Sequence, residues 1–418
     1  MFPKIASLPA FPPLSSRDET SVFPVILNAI LSVVAALFLV PIAVLTTEVV
    51  AAVCGRRIVF ATSGTRTPVA ILIPAHNEEG GISATLRSIA PQLGEHDRLI
   101  VVADNCTDGT RNVAEAEGAE VVSRTSSDKR GKGFALDFGL RYLRSNPPDI
   151  VIVVDADCHV APGAIDLLAK ICNDYGRPVQ AQYLMHSQGN ARLRMQIAEF
   201  AWVVKNLVRP MGLGKLGLPC QLMGSGMAFP WMSINNMDLA DAHIVEDMKM
   251  GLDMARLGVP PIFCPEALVL SLFPTHEEGI KDQRTRWEHG HLGTILSEAP
   301  RVFFQGLKEM DFSLMALALD LCVPPLALLL MLVSVLWLVA IIFYAATGYR
   351  APLLITSSAS VVFGLAVLTA WASHGRRIIS FSRLLSAFIY PLWKIPMYVQ
   401  FVFSRQREWV RSKRDKDR

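Results

Sequence analysis

Asp155 and Asp157 stand one residue apart, directly after the apolar run Ile150 to Val154. Two carboxylates at i and i+2, leaving a buried strand, can hold a hard divalent cation that also binds a diphosphate. Mg2+ or Mn2+ there would neutralise charge on a departing nucleoside diphosphate. Taken alone, Asp-x-Asp equally fits a solvated turn at a strand end. Other polar residues fall in comparable places: His76, Asn77 and Glu78 follow the run VAILIP, and Asp104 ends the run RLIVVAD. Lys129, Arg130 and Lys132 interleave with Gly131 and Gly133 ahead of a helical stretch. That pattern suits phosphate contact near a helix N-terminus, or a solvated basic loop; it matches no Walker or dinucleotide fingerprint.

Two later segments carry further chemistry. Glu246 and Asp247 open the amphipathic stretch EDMKMGLDMARLG. Acidic residues in a first helical turn complement the helix dipole, and one of them can also serve as a general base toward an acceptor hydroxyl. Further on, Gln283, Arg284, Arg286 and Trp287 lie together. On a helix, Gln283 shares a face with Arg286 and Trp287. Arginine suits a diphosphate and tryptophan suits the apolar face of a sugar ring, although a plain cation–aromatic surface stripe has the same composition.

These residues need a scaffold. Short Val/Ile-rich runs at 69–74, 98–104 and 150–157, with EVVSR at 120–124, alternate with helical stretches. Near-continuous apolar runs between helices predict parallel strands buried on both faces. The expectation is an α/β open sheet, which binds ligands at the carboxyl ends of its strands, where the polar residues sit.

The rest of the chain is unusually apolar. Of 418 residues, 51% are apolar and only 18% charged, against about 25% charged in ordinary soluble domains. The mean hydropathy is +0.36. A net charge of +3 is too small to point to a nucleic-acid partner. The excess is concentrated in uncharged runs at 21–47, 321–349 and 351–375, each long enough to cross a bilayer core of about 30 Å as a helix. Residues 384–404 contain Lys394, two prolines and aromatics, which suits a re-entrant or interfacial helix. Arg56 and Arg57 follow the first run, Arg376, Arg377 and Arg383 follow the third, and the C-terminal tail is basic. The positive-inside rule then places the central block, about residues 60–310, in the cytoplasm, at a multi-pass inner membrane. Seven scattered cysteines form no C-x-x-C pair and read as free thiols.

The ordered set resembles the membrane-integrated family-2 glycosyltransferases, the group of cellulose, chitin and hyaluronan synthases and bacterial exopolysaccharide enzymes. Its D, DxD, (T/E)ED and Q-x-x-R-W motifs correspond to Asp104, Asp155-Ala156-Asp157, Val245-Glu246-Asp247 and Gln283-Arg284-Thr285-Arg286-Trp287. The resemblance implies a GT-A type, Rossmann-like domain over residues 69–298, flanked by transmembrane helices. Around it come a tail at 1–20, an anchor at 21–54, a linker at 55–68 and an interfacial segment at 299–320. A transmembrane hairpin at 321–375 and an interfacial or re-entrant segment with a basic tail at 376–418 complete the chain. It also implies inverting transfer from a nucleotide sugar, usually a UDP-sugar, to a lipid-linked or polysaccharide acceptor, with Mg2+ or Mn2+. By position, Asp104 and Asp155 would contact the nucleotide, with His76, Asn77, Glu78 and Lys132 beside them. Asp157 would bind the metal and Asp247 would be the catalytic base. Glu246, Gln283, Arg284 and Arg286 would hold the diphosphate and the acceptor end, and Trp287 would pack on the acceptor sugar.

Val245 stands where many relatives have threonine. No F-x-V-T-x-K gating sequence is present and three spans are few for a channel, which favours limited addition, whereas by family habit the Q-x-x-R-W motif favours a processive polysaccharide synthase that also exports its polymer; both modes stay open. Two readings from other classes compete: a non-catalytic membrane scaffold, which would have lost its key carboxylates, and a sugar nucleotidyltransferase, which would need neither the membrane hairpin nor the Gln283–Trp287 cluster.

Overall fold

The structure, a computed structural model, describes residues 22–403 apart from 63, 65, 188, 190, 241–244 and 275–276. The tail at 1–20 and the basic C-terminus from 405 onward lie outside the described residues. Helix α1 (Val22–Cys54) leads into β1 (Val69–Ala75), α2 (Ile82–Ile89), β2 (Arg98–Asp104), α3 (Thr110–Ala116), β3 (Glu120–Arg124), α4 (Lys132–Leu143) and β4 (Ile150–Val153). Next come β5 (His159–Val160), α5 (Ala164–Tyr175), β6 (Val179–His186), α6 (Leu193–Val203), a π-helical turn at Val204–Val208 and α7 (Arg209–Lys215). They are followed by β7 (Met227–Pro230), α8 (Trp231–Ile234), α9 (Glu246–Arg256) and β8 (Ile262–Leu272). The remainder is helical: α10 (Glu277–Ser297), α11 (Ala299–Glu309), α12 (Phe312–Leu321), α13 (Leu326–Thr347), α14 (Ala351–Ala370), α15 (Phe381–Leu385) and α16 (Ile395–Phe403).

The eight strands form one sheet in the order β3-β2-β1-β4-β7-β6-β8-β5. The first four are parallel, as their apolar runs predict. Beyond β4 the sheet is mixed: β7 is antiparallel to β4 and β6, β8 is parallel to β6, and β5 is antiparallel to β8. The four strands read as parallel from the sequence are the parallel half; the mixed half is built from strands that reading did not reach. Strand β4 also stops at Val153, so the Asp155–Asp157 segment has already left the sheet.

Alternation explains why β1 must be apolar at nearly every position. Ile71 and Ile73 face a core with Ile82, Leu86 and Leu168, whereas Leu72 faces a second core with Leu136, Leu140 and Met254. Each fully buried Ile or Leu contributes about 1.5–3 kcal/mol relative to exposure. Helix α4 lies so close to the sheet that a Cβ at Gly139 would sit 2.5 Å from the Leu72 side chain. This close approach fixes the start of α4, and with it Lys132.

A third core joins the sheet domain to the apolar helices. Leu45 and Val49 of α1 meet Phe200 and Val203 of α6, Leu329 of α13 and Phe363 of α14. Its charged counterpart is buried: Arg209 donates to the Glu48 carboxylate at 2.7 Å and to the Asp320 carboxylate at 2.6 Å. A fourth core packs Val245, Met248 and Leu252 against Val302, Leu314 and Leu317. It is braced by the Asp311 carboxylate, which caps α12 by accepting from the Ser313 and Leu314 amides. Helices α11 and α12 thus hold the first turn of α9 in place.

Among the described residues, three helices are long and apolar enough to cross a membrane: Val22–Cys54, Leu326–Thr347 and Ala351–Gly375. Their outer faces expose Ile26, Ile30, Leu37, Leu338, Ile342 and Leu365. Residues 381–403 are divided among α15, two 3-10 turns and α16 rather than forming one long α-helix. All seven cysteines are free.

Candidate active site

The loops that follow β1 and β2 are tied to one another. Asn77 and Asn105 both adopt the left-handed backbone region, φ 54° and 53°, which asparagine tolerates better than most residues. The Asn77 carbonyl oxygen accepts from the Thr107 amide at 2.7 Å, and Asn105 accepts from the Ser126 amide at 2.8 Å. The His76 Nδ1 lies 2.7 Å from the Asp104 carbonyl oxygen, and the Glu78 amide donates to Thr110 at 2.7 Å. Asp104 itself is buried and paired with Arg124 at the end of β3. These residues form a rigid rim above the carboxyl edge of the parallel strands.

Lys132 is the centre of a charged cluster at the strand ends. Its Nζ pairs with the Asp155 carboxylate and donates to the Gly224 carbonyl at 2.6 Å. Asp155 is also held through its backbone, whose amide donates to Ser225 Oγ at 3.0 Å. Glu246 and Asp247 act electrostatically on the same ammonium. Burial opposes the Lys132 charge, but Asp155, Glu246 and Asp247 outweigh it, and its pKa is raised. Lys129 and Arg130 stay exposed, so of the three basic residues in that turn only Lys132 enters the cluster.

The carboxylates show the opposite strain. Burial raises the Asp155 pKa, Lys132 works against that rise, and the Asp157 charge adds to it. Glu246 is pushed up from 4.5 to about 7, chiefly by burial, with Lys132 lowering it and Asp247 raising it. Three acids thus converge on one lysine with Asp157 beside them, and a further cation would relieve the excess negative charge. Ligand atoms of Asp155, Asp157 and Cys158 lie within 4.8 Å of one another. Cys158 is a soft ligand, and burial, with the two aspartates, raises its thiol pKa well above 9.0 and keeps it neutral. A hard divalent cation therefore fits Asp155 and Asp157 and would complete its shell from phosphate oxygens and water.

Asp247 enters on the first turn of α9 and turns one carboxylate oxygen onto the Met248 amide at 2.9 Å. Its other oxygen faces Gly224, which has φ +97°. A Cβ at Gly224 would lie 3.2 Å from Asp247 Oδ2 and 3.7 Å from Lys132 Nζ. The loop before β7 is glycine here because its backbone passes close to both side chains.

Helix α10 carries Gln283, Arg284, Arg286 and Trp287, all half-buried. The Arg284 guanidinium is held by neutral groups. It donates to the Tyr390 hydroxyl at 3.0 Å and to Met195 Sδ at 3.4 Å. Arg286 is also engaged within the protein. Trp287 packs on Trp202, with ring centroids 4.8 Å apart. Arg284, Trp202 and Trp287 line a cavity of about 610 Å3 between the sheet domain and helices α13 and α14. The residues read from the sequence therefore fall in two zones: Lys132, Asp155, Asp157, Glu246 and Asp247 at the strand ends, and Arg284 with Trp287 at the cavity.

Sequence reading missed Gly224, Ser225, Arg124, Trp202 and Lys205. Gly224 and Ser225 had a signal, since Gly-Ser-Gly directly precedes the strand MAFP. Arg124 ends EVVSR just as Asp104 ends RLIVVAD. Trp202 and Lys205 had none, because only the tertiary packing brings them beside α10.

The family model described as "Glycosyltransferase like family 2" matches residues 66–290. "Probable glycosyltransferase YdaM" of Bacillus subtilis (strain 168) is 27% identical over 261 residues, 59% of this chain and 60% of its own. The 4,4'-diaponeurosporenoate glycosyltransferase of Staphylococcus haemolyticus is 27% identical over 236 residues, 53% of this chain and 60% of its own. The chain thus matches 60% of the length of each of these relatives. Among solved structures, the mannosyltransferase PcManGT from Pyrobaculum calidifontis, in complex with GDP-Man and Mn2+, has a TM-score of 0.54 at 18% identity. That superposition covers 88% of this chain and 99% of the other, and it shows a shared GT-A-like fold. With more than half of its residues matched, and with its acidic strand ends set in that fold, the chain belongs to the glycosyltransferase-like family 2.

Proposed function

We propose that this chain is an inverting glycosyltransferase. It moves a sugar from a nucleotide sugar to a lipid-linked or growing glycan acceptor at the cytoplasmic membrane face, in exopolysaccharide or envelope polysaccharide synthesis. The observation that carries the reading is the convergence of Asp155, Glu246 and Asp247 on Lys132, with Asp157 beside Asp155. In this reading the nucleoside lies on the rim formed by His76, Asn77, Glu78 and Asp104, and Lys132 faces the diphosphate. Asp155 orients Lys132, and Asp157 with Asp155 would hold Mg2+ or Mn2+. Bound there, the metal neutralises charge on the leaving diphosphate. Asp247 takes the proton of the acceptor hydroxyl as its oxygen bonds to the anomeric carbon. The anomeric carbon–oxygen bond to the diphosphate breaks, and its electron pair leaves with the nucleoside diphosphate. Attack from the face opposite the leaving group inverts the carbon, and no covalent enzyme intermediate is required.

The exposed apolar faces of α1, α13 and α14 support a multi-pass membrane location, with the sheet domain at the surface. The flanking arginines support a cytoplasmic active site. The resemblance to polysaccharide synthases favours a UDP-sugar, whereas PcManGT was solved with GDP-Man, so a donor screen carries both. Purified full-length protein with Mg2+ or Mn2+ is expected to release nucleoside diphosphate from one donor class. Chelation is expected to stop the release, and Asp157→Asn to weaken it. Release of pyrophosphate from a nucleoside triphosphate and sugar phosphate instead would contradict the reading.

A further inference from the structure

The cavity of about 610 Å3 lies between α6, α10, α13 and α14 and falls in the size range of small-molecule sites. Most of its wall is apolar, including Leu326, Leu330, Phe363 and Leu384, but four cations also line it: Lys205, Arg209, Arg284 and Lys394. Two of the four are neutralised. Arg209 is held by Glu48 and Asp320, and Lys394 pairs with Glu288. Among the described residues, Lys205 and Arg284 have no carboxylate partner. Arg284 bonds only to a neutral hydroxyl and a thioether, and Lys205 lies 5.7 Å from the Trp202 ring centroid. Neither cation sits in an ion pair, although Asp247, Asp320 and Glu288 act on Lys205 through space; on a mostly apolar wall such cations gain from an anion that reaches them.

Their position connects the cavity to the chemistry. Lys205 also lines a small cavity of about 30 Å3 bounded by Met223 and Met248, which neighbour Gly224 and Asp247 in sequence. The Asp247 charge acts on Lys205 directly. The Trp202–Trp287 pair stands beside the same cations and offers an aromatic surface of the kind that sugar rings cover.

The geometry points to an acceptor of defined class: a lipid joined through a phosphate to a sugar. Its hydrocarbon tail fills the apolar cavity, its phosphate meets Arg284 and Lys205, and its sugar lies on the tryptophan pair with a hydroxyl toward Asp247. This deepens the transferase reading and rests on it. The hydroxyl proton passes to Asp247, the oxygen bonds to the donor's anomeric carbon, and the nucleoside diphosphate leaves with the electron pair of the broken bond.

Gly364 of α14 lines the cavity, and a Cβ there meets nothing within 4 Å, so a phenylalanine at this position projects into open space. The test uses purified full-length protein in detergent, the donor found by screening, and synthetic phosphate-linked sugar lipids of increasing chain length. A neutral glycolipid with the same sugar and tail serves as a second series. For the wild type, KM for the phosphate-linked acceptors is expected to fall on the order of tenfold or more from the shortest to the longest tail, as buried methylenes accumulate. Gly364→Phe is expected to erase that gain. Arg284→Gln is expected to raise KM for phosphate-linked acceptors about 10- to 100-fold, as loss of a charge-assisted hydrogen bond should, while changing the neutral series little. A wild-type KM independent of tail length overturns the inference without any variant having to fold. Equal weakening of both series by Arg284→Gln overturns the placement of the phosphate. Nucleoside diphosphate release with tail-independent transfer leaves the transferase reading standing and removes this one. No release from any donor removes both.

Discussion

Replacing Gly224 with alanine perturbs the charged cluster at one backbone position. Two effects follow from the geometry. The residue sits at φ +97°, where an L-side chain costs about 1–2 kcal/mol. The new Cβ also lies 3.2 Å from Asp247 Oδ2, so the carboxylate must give way by a few tenths of an ångström. A base displaced from its productive position loses up to about 100-fold in rate for a shift of about 1 Å. Gly224→Ala is therefore expected to lower the unfolding midpoint by a few degrees and kcat by about 3- to 10-fold. Gly118→Ala is the control: it has the same left-handed backbone, φ +84°, but nothing within 4 Å of its Cβ. It should lose comparable stability and keep its rate. The assay is nucleoside diphosphate release at saturating donor, alongside thermal unfolding of both variants. A Gly224→Ala protein with wild-type kcat, or a Gly118→Ala protein equally impaired in rate, would refute the placement of Asp247 against this loop.

Two more outcomes follow from buried charge. Arg209→Met leaves Glu48 and Asp320 buried without their cation and should destabilise the protein by about 3–5 kcal/mol, measured by denaturant unfolding in detergent. Glu246 is held up at about 7 against an ordinary 4.5, so its ionised form opposes folding. Its cost is absent below pH 4.5 and grows as pH rises to about 7, reaching at most on the order of 3 kcal/mol. Chelator-treated protein should therefore lose thermal stability over that window, and Glu246→Gln should flatten the dependence.

The parallel half of the sheet was legible because β1, β2 and β4 are apolar on both faces, a pattern that local sequence displays directly. The acidic strand ends were legible for the same reason, since a carboxylate ending a buried run stands out. The mixed half was not. Whether β7 runs antiparallel to β4 depends on partners some 75 residues apart, and no local period encodes it. Lys132 could be singled out as basic on a glycine turn, but only the fold shows that Asp155 and the Gly224 carbonyl receive it. Arg284 shows the limit from the other side. Its spacing from Trp287 is fixed by the helix, yet its direction is set by Tyr390 and Met195, which lie 106 and 89 positions away. The buried Arg209 triad joins three elements across 161 and 111 positions and carries no sequence signal of its own.

The central claim is that Asp247 removes the acceptor proton at a donor site built by other residues. Transfer and donor binding measured side by side on Asp247→Asn test it most directly. The account predicts donor affinity within about twofold of wild type and a kcat lower by about 100- to 10,000-fold, the range of a lost general base. Wild-type transfer by Asp247→Asn, with the donor bound normally, would contradict it.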